Sequence, residues 1–181
     1  MSTADRRARE LERRERSLLD AAVALLDRDD WQSVTVEAIA ERAEYAKGTV
    51  YRHFASKDDL CARLAADWID AGCDAAEALD ADRPFEPVLA DLVALLWRRA
   101  TADRVHAPLL ARVRQPEFRR GLAPSAAERL DAAETRLATL LAGVIDLGVA
   151  EAAIPTAPLG PRLFLVAALL AAATLAILRT G

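Results

Sequence analysis

The stretch AKGTVYRHFASKDDL, residues 46–60, decides the fold of the N-terminal part of this chain. It gathers cationic and hydrogen-bonding side chains, and it contains no acidic residue before Asp58. Ser56, with Asp59 three residues later, matches the pattern that caps a helix N-terminus. Gly48 lacks a side chain, so the backbone there can approach a phosphate or a base edge closely. The stretch therefore predicts a short helix that ends before Ser56 and a second helix that begins there.

Two further helices are predicted upstream of this stretch. Residues 8–27 repeat apolar positions at helical spacing behind a strongly charged first half, and we expect Trp31 to fold back into the core. Thr35 can cap a short helix over residues 36–43. Two short helices joined by a tight turn, 36–43 and 46–53, have the geometry of a helix-turn-helix, whose second helix enters the DNA major groove.

These residues also carry a resemblance to a known family. The N-terminal signature of the TetR (tetracycline-repressor-like) transcriptional regulators resembles residues 15–62, in particular Thr35, Ile39-Ala40, Ala43, Lys47-Gly48-Thr49, Tyr51, His53-Phe54 and Ser56-Lys57. In that family the N-terminal domain binds an operator as a dimer. A divergent C-terminal bundle holds the dimer interface and an inducer pocket.

The resemblance implies roles for individual residues. By position, the phosphate backbone would be held by Thr35, Tyr51, His53 and Lys57. Base edges would be faced by Lys47, Gly48, Thr49 and Arg52. Two positions depart from the family pattern: Glu44 stands where a turn glycine is common, and Ala46 where a capping serine is common. Left-handed geometry at Glu44 costs on the order of 1 kcal/mol, and the missing hydroxyl at Ala46 a similar amount.

Charge alone supports a weaker interpretation. The formal net charge of −4 disfavours a DNA binder with a globally basic surface, so any DNA contact must be local. Without the motif, a cluster of Lys, Arg and His on a helix is usually a solvated face. The first helix leaves two alternatives open, because its arginines alternate with acids: self-paired charges on an exposed helix, or a DNA arm that uses Arg6, Arg7 and Arg9.

The rest of the chain predicts a helical bundle, so the fold class is all-α, with a DNA-binding domain at 1–55 and a ligand-binding and dimerisation domain at 56–181. The hydrophobic fraction of 53% is mostly alanine and leucine, which favours packed helices. We expect a helix at 57–79 and another from Pro84 and Pro87, then a segment at 102–114 interrupted by Pro108. A capping box at Ser125–Glu128 predicts a helix to Leu147 that stops at Gly148.

A ligand pocket is expected among apolar side chains of this bundle. If they converge, the lining would be Trp68, Leu92, Leu96, Trp97 and Leu110, with His106 as a hydrogen-bonding group. The alternative remains open that these are ordinary core residues and that His106 is an ordinary partly buried histidine. The expected ligand is a small, mostly apolar inducer.

The run at 163–178 contains no charged residue and predicts an interface helix. Small residues on one side, Ala168, Ala172 and Ala176, would pack together with Ala138 and Ala142 of the preceding helix against a second copy of the chain. The alternative is a helical interaction or membrane-associated protein that uses 163–178 as an anchor, although the run is shorter than the ~20 apolar residues that a bilayer span requires.

The sequence offers no combination of nucleophile, base and orienting group, so no enzyme is predicted. We expect no metal site and no cofactor. The expected partners are double-stranded operator DNA, a small-molecule inducer and a second copy of the chain, with no membrane. Cys61 and Cys73 lie about 18 Å apart along one predicted helix, too far for a disulfide. Free thiols favour a reducing compartment, so we expect the cytoplasm.

Overall fold

The computed structural model describes residues 3–79 and 83–151, and within these ranges it confirms an all-α fold. The described part contains eight helices: α1 Thr3–Leu26, α2 Val36–Arg42, α3 Lys47–His53, α4 Lys57–Glu77, α5 Phe85–Ala102, α6 His106–Val113, α7 Pro116–Arg120 and α8 Pro124–Ala150.

The first three helices form the predicted N-terminal module. Helix α1 begins five residues earlier than its apolar pattern predicts, and its charged half pairs with itself: Glu10 binds both Arg13 at 2.7 Å and Arg14 at 2.9 Å. Its buried face packs against α2, α3 and the loop residue Trp31, which is 8% exposed as predicted. The Thr35 hydroxyl caps α2 by accepting the backbone N–H of Ala38 at 3.1 Å.

Helix α4 belongs to both halves of the molecule. Its N-terminus is capped as predicted, because the Ser56 hydroxyl accepts the Asp59 backbone N–H at 3.0 Å. Its buried face joins one continuous core with residues of α1 to α3 and with Leu109, Phe118 and Leu130 of the bundle. Cys61 and Cys73 are both free and buried on this helix. Burial raises the pKa of the Cys61 thiol to about 12.

Three predicted helix boundaries in the bundle are wrong. Pro108 lies in the first turn of α6, where its missing N–H is not needed, so it does not interrupt that helix. The predicted capping box at Ser125–Glu128 does not form. Helix α8 begins at Pro124, and the Asp59 carboxylate of α4 accepts the Ala123 backbone N–H at 2.9 Å instead. Gly148 is buried inside α8, which continues to Ala150.

The predicted interface helix at 163–178, with Ala168, Ala172 and Ala176, lies outside the described residues. Among helices in the described ranges, none is both long enough and apolar enough to cross a membrane.

Candidate nucleic-acid interface and effector pocket

Helix α2 ends in a turn in which Glu44 adopts the left-handed backbone conformation. Its φ angle is 59°, the left-handed region that glycine adopts more easily. The Glu44 backbone N–H donates to the Glu41 carbonyl at 3.0 Å, and the Tyr45 N–H donates to the Ala40 carbonyl at 2.9 Å. This is the hydrogen-bond pair of a Schellman motif, so the turn keeps its usual geometry without the usual glycine.

Helix α3 begins without a side-chain cap, because Ala46 carries no hydroxyl. Its exposed face presents Lys47, Gly48, Tyr51 and Arg52. Its inner face buries Val50, and Phe54 just after the helix is buried as well, as predicted. A Cβ at Gly48 would meet no atom of the described chain within 4 Å, so this backbone is open to an approaching surface.

Lys47, the first residue of α3, pairs with an acid of the preceding helix. Its ammonium contacts Glu37 Oε1 and lies 5.8 Å from the centre of the Tyr51 ring. The hydrogen bond with Glu37 raises the pKa of Lys47 and lowers the pKa of Glu37. The pair is half exposed, with 52% of the Lys47 side chain and 60% of the Glu37 side chain open to solvent. Glu37 was not among the predicted site residues. Its pairing with Lys47 depends on how the turn places α2 against α3, which the sequence pattern does not show.

Two predicted DNA-binding residues are turned inward. Thr49 is buried, and its hydroxyl accepts a hydrogen bond from the Arg52 guanidinium at 3.0 Å. The His53 side chain is only 7% exposed, and its Nδ1 lies 3.8 Å from Glu15 Oε2. In this arrangement neither side chain is presented on the outer face of α3.

Lys57 and Thr35 hold backbone groups of the module. The Lys57 ammonium donates to the carbonyls of Trp31 at 2.5 Å and Val34 at 2.7 Å. It also lies 4.8 Å from the centre of the Trp31 ring. Burial, assisted by the nearby charge of Arg112, lowers the pKa of Lys57. Thr35 similarly gives its hydroxyl to the α2 cap. Both residues lie at the edge of the module, with a clear structural role in the free chain.

The outer face of α3 therefore combines two cations, a phenol and an open glycine. Lysine and arginine donate to phosphate oxygens and to base edges, and a tyrosine hydroxyl can donate to a phosphate. The chain of residues that carries this face, from 18 to 64, matches the family model described as bacterial regulatory proteins, tetR family. This N-terminal stretch is similar to the tetR family. The matched residues include the helix-turn-helix formed by α2 and α3.

Curated relatives match the same region. The HTH-type transcriptional repressor KstR of Rhodococcus jostii is 50% identical over 49 residues, which are 27% of this chain and 23% of that protein. KstR of Mycobacterium tuberculosis is 46% identical over 49 residues, 27% of this chain and 22% of that protein. The matched stretch thus spans under a quarter of the length of these repressors.

Solved structures share the fold over most of the chain. The fatty acid degradation regulator FadR of Bacillus halodurans has a TM-score of 0.69 at 19% identity, covering 91% of this chain and 84% of that one. FadR of Bacillus subtilis in complex with stearoyl-CoA has a TM-score of 0.66 at 19% identity, covering 90% and 87%. At this identity the likeness is one of fold.

Helix α4 connects the tetR-family module to α8 through charged contacts. Arg63 pairs with Glu15 of α1 and, at 2.9 Å, with Asp67 of its own helix. The contacts continue along α8: Arg129 pairs with Asp67 at 3.0 Å and Asp70 at 2.5 Å, and Arg136 pairs with Asp74 at 2.6 Å and Glu77 at 2.7 Å. A run of ion pairs therefore extends from the module to the far end of α4.

The predicted pocket residues lie in more than one place in the described chain. Trp68 stacks on His106 with ring centres 6.4 Å apart, and Asp103 accepts from Trp68 Nε1 at 2.6 Å and contacts His106 Nδ1 at 2.8 Å. Trp97 is 54% exposed on α5. Leu110 packs against the main core, Leu96 is half-buried, and Leu92 lines a different cavity. In the described chain, Trp68 and His106 line one cavity and Leu92 lines another. A single pocket that joins all six residues stays a prediction.

Leu92 instead lines an apolar cavity of about 420 Å³ between α4, α5 and α8, which we call the α4–α8 pocket. Its described lining is Ala76, Glu77, Leu79, Val88, Leu92, Leu140, Gly143, Val144 and Leu147. The sequence signal for this pocket was the helical spacing of Leu140, Val144 and Leu147, which on its own equally fits a core. Two predicted interface residues, Ala138 and Ala142, are exposed on the outer face of α8.

Proposed function

We propose that this chain is a ligand-responsive transcriptional regulator, a repressor that binds a palindromic operator as a dimer and is released by a small apolar inducer. The observation that carries the proposal is the outer face of α3. It presents Lys47, Gly48, Tyr51 and Arg52 beyond a left-handed turn, in the position of a recognition helix. The transcriptional repressors that match residues of this module support it.

The DNA contacts divide into two kinds. Tyr51 and Lys57 hold phosphates, and Lys47, Gly48 and Arg52 face base edges. Thr35 and His53 complete the phosphate contacts, and Thr49 the base contacts, once DNA displaces their present internal partners. For His53 this means leaving a site where 93% of the side chain is buried, so its contact requires the end of α3 to move.

The α4–α8 pocket is the proposed inducer site. Its size lies in the range of small-molecule sites, and its lining is almost wholly apolar. Helix α4 runs from the end of α3 to this pocket, so an occupant that moves α4 also moves the module. An inducer must bind the DNA-incompetent arrangement more tightly, because only a difference in affinity shifts an equilibrium.

The proposed dimer uses the exposed small residues of α8, Ala138 and Ala142, against a second copy. Small side chains allow two helices to approach closely, and a two-fold axis there would set two α3 helices about one DNA turn, roughly 34 Å, apart. Ala168, Ala172 and Ala176 would extend this interface.

A gel shift of the purified chain against DNA from upstream of its own coding sequence tests the proposal. We expect a retarded complex that survives competition by unrelated DNA and weakens steeply with salt. A Lys47→Ala variant should alter the preference among sequences, whereas Tyr51→Phe should weaken binding to all DNA alike. Equal affinity for the upstream and unrelated DNA at every salt concentration would contradict the proposal.

A further inference from the structure

The α4–α8 pocket carries a single charge in its described lining. Eight of the nine lining residues are aliphatic or glycine, and the ninth is Glu77, near the C-terminal end of α4. No lysine, arginine or histidine of the described chain lines it. An occupant therefore meets an apolar body with one carboxylate.

Glu77 is held in place but keeps capacity to accept further hydrogen bonds. Its Oε2 lies 2.7 Å from Arg136 Nη2, and its Oε1 accepts from Arg136 Nε at 3.3 Å. The same guanidinium also donates to Asp74 at 2.6 Å. Arg136 also lies 3.5 Å from Asp70, which Arg129 contacts as well, so two cations face three carboxylates and a net negative charge remains at this end of the pocket. Each carboxylate oxygen can accept more than one donor, so Glu77 can bind a ligand group without losing Arg136.

We propose that the α4–α8 pocket takes an apolar molecule with a cationic head group, such as a primary alkylamine, and that Glu77 binds the head group. The inference deepens the proposed function, on which it rests, by naming the chemical class of the inducer. The same geometry disfavours a carboxylate head group, because it would face Glu77 with no lining cation to balance it. Arg136, the nearest cation to Glu77, is not among the lining residues.

A chain of ion pairs connects the proposed head-group contact at Glu77 to the N-terminal module. Arg136 is one member of the run of ion pairs that continues through Arg129 and Arg63 to Glu15, beside His53. A cation at Glu77 shares that carboxylate with Arg136 and weakens their contact, which favours the contacts that Arg136 already makes with Asp70 and Asp74.

Three probes with the same eight-carbon chain test the ligand class: octylamine, octanol and octanoate, each titrated calorimetrically into the purified full chain at pH 7. We expect octylamine to bind about fivefold more tightly than octanol, the contribution of a partly exposed ion pair, and octanoate to bind more weakly than either. Glu77→Gln should bring octylamine down to the affinity of octanol and leave octanol unchanged.

Two variants control this result. Asp74→Asn removes another carboxylate that contacts Arg136. Asp74 does not line the pocket, so this variant should leave the preference for octylamine intact. Gly143→Leu should abolish binding of all three probes, because a side chain there enters the pocket and its Cβ meets no atom within 4 Å. Octanoate binding as tightly as octylamine, or an unchanged preference in Glu77→Gln, would overturn the inference. Because the titrations contain no DNA, their outcome is separate from the gel shift, which tests the regulator proposal alone.

Discussion

Glu37 of α2 holds the ammonium of Lys47, the first residue of α3 and the residue proposed to read base edges. Both side chains are half exposed, so the pair is accessible to a DNA duplex. Before Lys47 can donate to a base, it must leave Glu37, and the freed carboxylate then repels the phosphates. We therefore expect the acid to weaken DNA binding and to restrict Lys47 to sequences that offer a good acceptor.

Removing this acid should tighten DNA binding. We expect Glu37→Gln to raise affinity about two- to fivefold at low salt, the range of an exposed ion pair, and to reduce discrimination between operator and unrelated DNA. Glu41→Gln is the matched control, since Glu41 is exposed on the same helix and makes no ion pair within the described ranges. Fluorescence anisotropy on both duplexes measures the two effects. Identical gains in the two variants would show that net charge, not the Lys47 pair, is responsible.

Lys57 should prove to be both a structural and a DNA-binding residue. Lys57→Met keeps most of the apolar stem but leaves the carbonyls of Trp31 and Val34 without their donor, at a cost of about 1–3 kcal/mol. Urea unfolding measures this loss, and the exposed Lys47→Met serves as a control that should change stability by less than about 0.5 kcal/mol. In Lys57→Met, the slope of the logarithm of DNA affinity against the logarithm of salt concentration should also fall by about one. An unchanged slope would remove the phosphate role while leaving the structural one.

Two substitutions should stabilise the turn between α2 and α3 without changing the outer face of α3. Glu44→Gly should stabilise the chain by about 1 kcal/mol, because glycine adopts the φ of 59° without steric cost. Ala46→Ser should add a similar amount by capping α3. As a control, Arg42→Gly places a glycine at the last helical residue of α2, where it relieves no left-handed strain and should not stabilise the chain. Thermal unfolding checks all three, and a destabilised Glu44→Gly would contradict the strain at this turn.

The proposed dimer face predicts the effect of a charge on α8. Ala142→Arg should give a folded, helical monomer that no longer binds operator, because an unpaired charge buried in the interface costs several kcal/mol. Sedimentation and circular dichroism measure association and helicity. Ala90→Arg, at an exposed position of α5, should leave the dimer intact. A dimeric Ala142→Arg would place the interface on another surface.

Acid should weaken the Trp68–Asp103–His106 cluster in a defined range of pH. Burial alone would raise the pKa of Asp103, but hydrogen bonds from His106 and Trp68 lower it from 3.8 to about 2. A lowered folded-state pKa stabilises the fold above about pH 4, and this contribution is lost as pH falls toward 2. Discounted for partial exposure, it amounts to roughly 1–2 kcal/mol. In Asp103→Asn, the free energy of unfolding in urea should therefore fall less steeply between pH 4 and pH 2 than in the unmodified chain. Asp91→Asn, in the exposed pair with Arg83, should not change this pH dependence.

The sequence by itself determined the helix-turn-helix and the likeness of its N-terminal part to the tetR family. The caps at Thr35 and Ser56, the inward Val50 and Phe54, and the left-handed residue at Glu44 all follow from interactions between residues at most five positions apart. Such interactions depend on the local spacing of side chains, so residues 35–60 were enough to place them.

Only the tertiary structure decided which partners the side chains have. Lys57 binds carbonyls more than 20 residues earlier, His53 is buried beside Glu15, and Asp59 caps a helix that begins at Pro124. The apolar stripes of α4, α5 and α8 looked alike in the sequence, yet only part of them surrounds a pocket. These contacts join segments far apart in the chain, and they depend on how the helices pack, which periodicity along one helix does not specify.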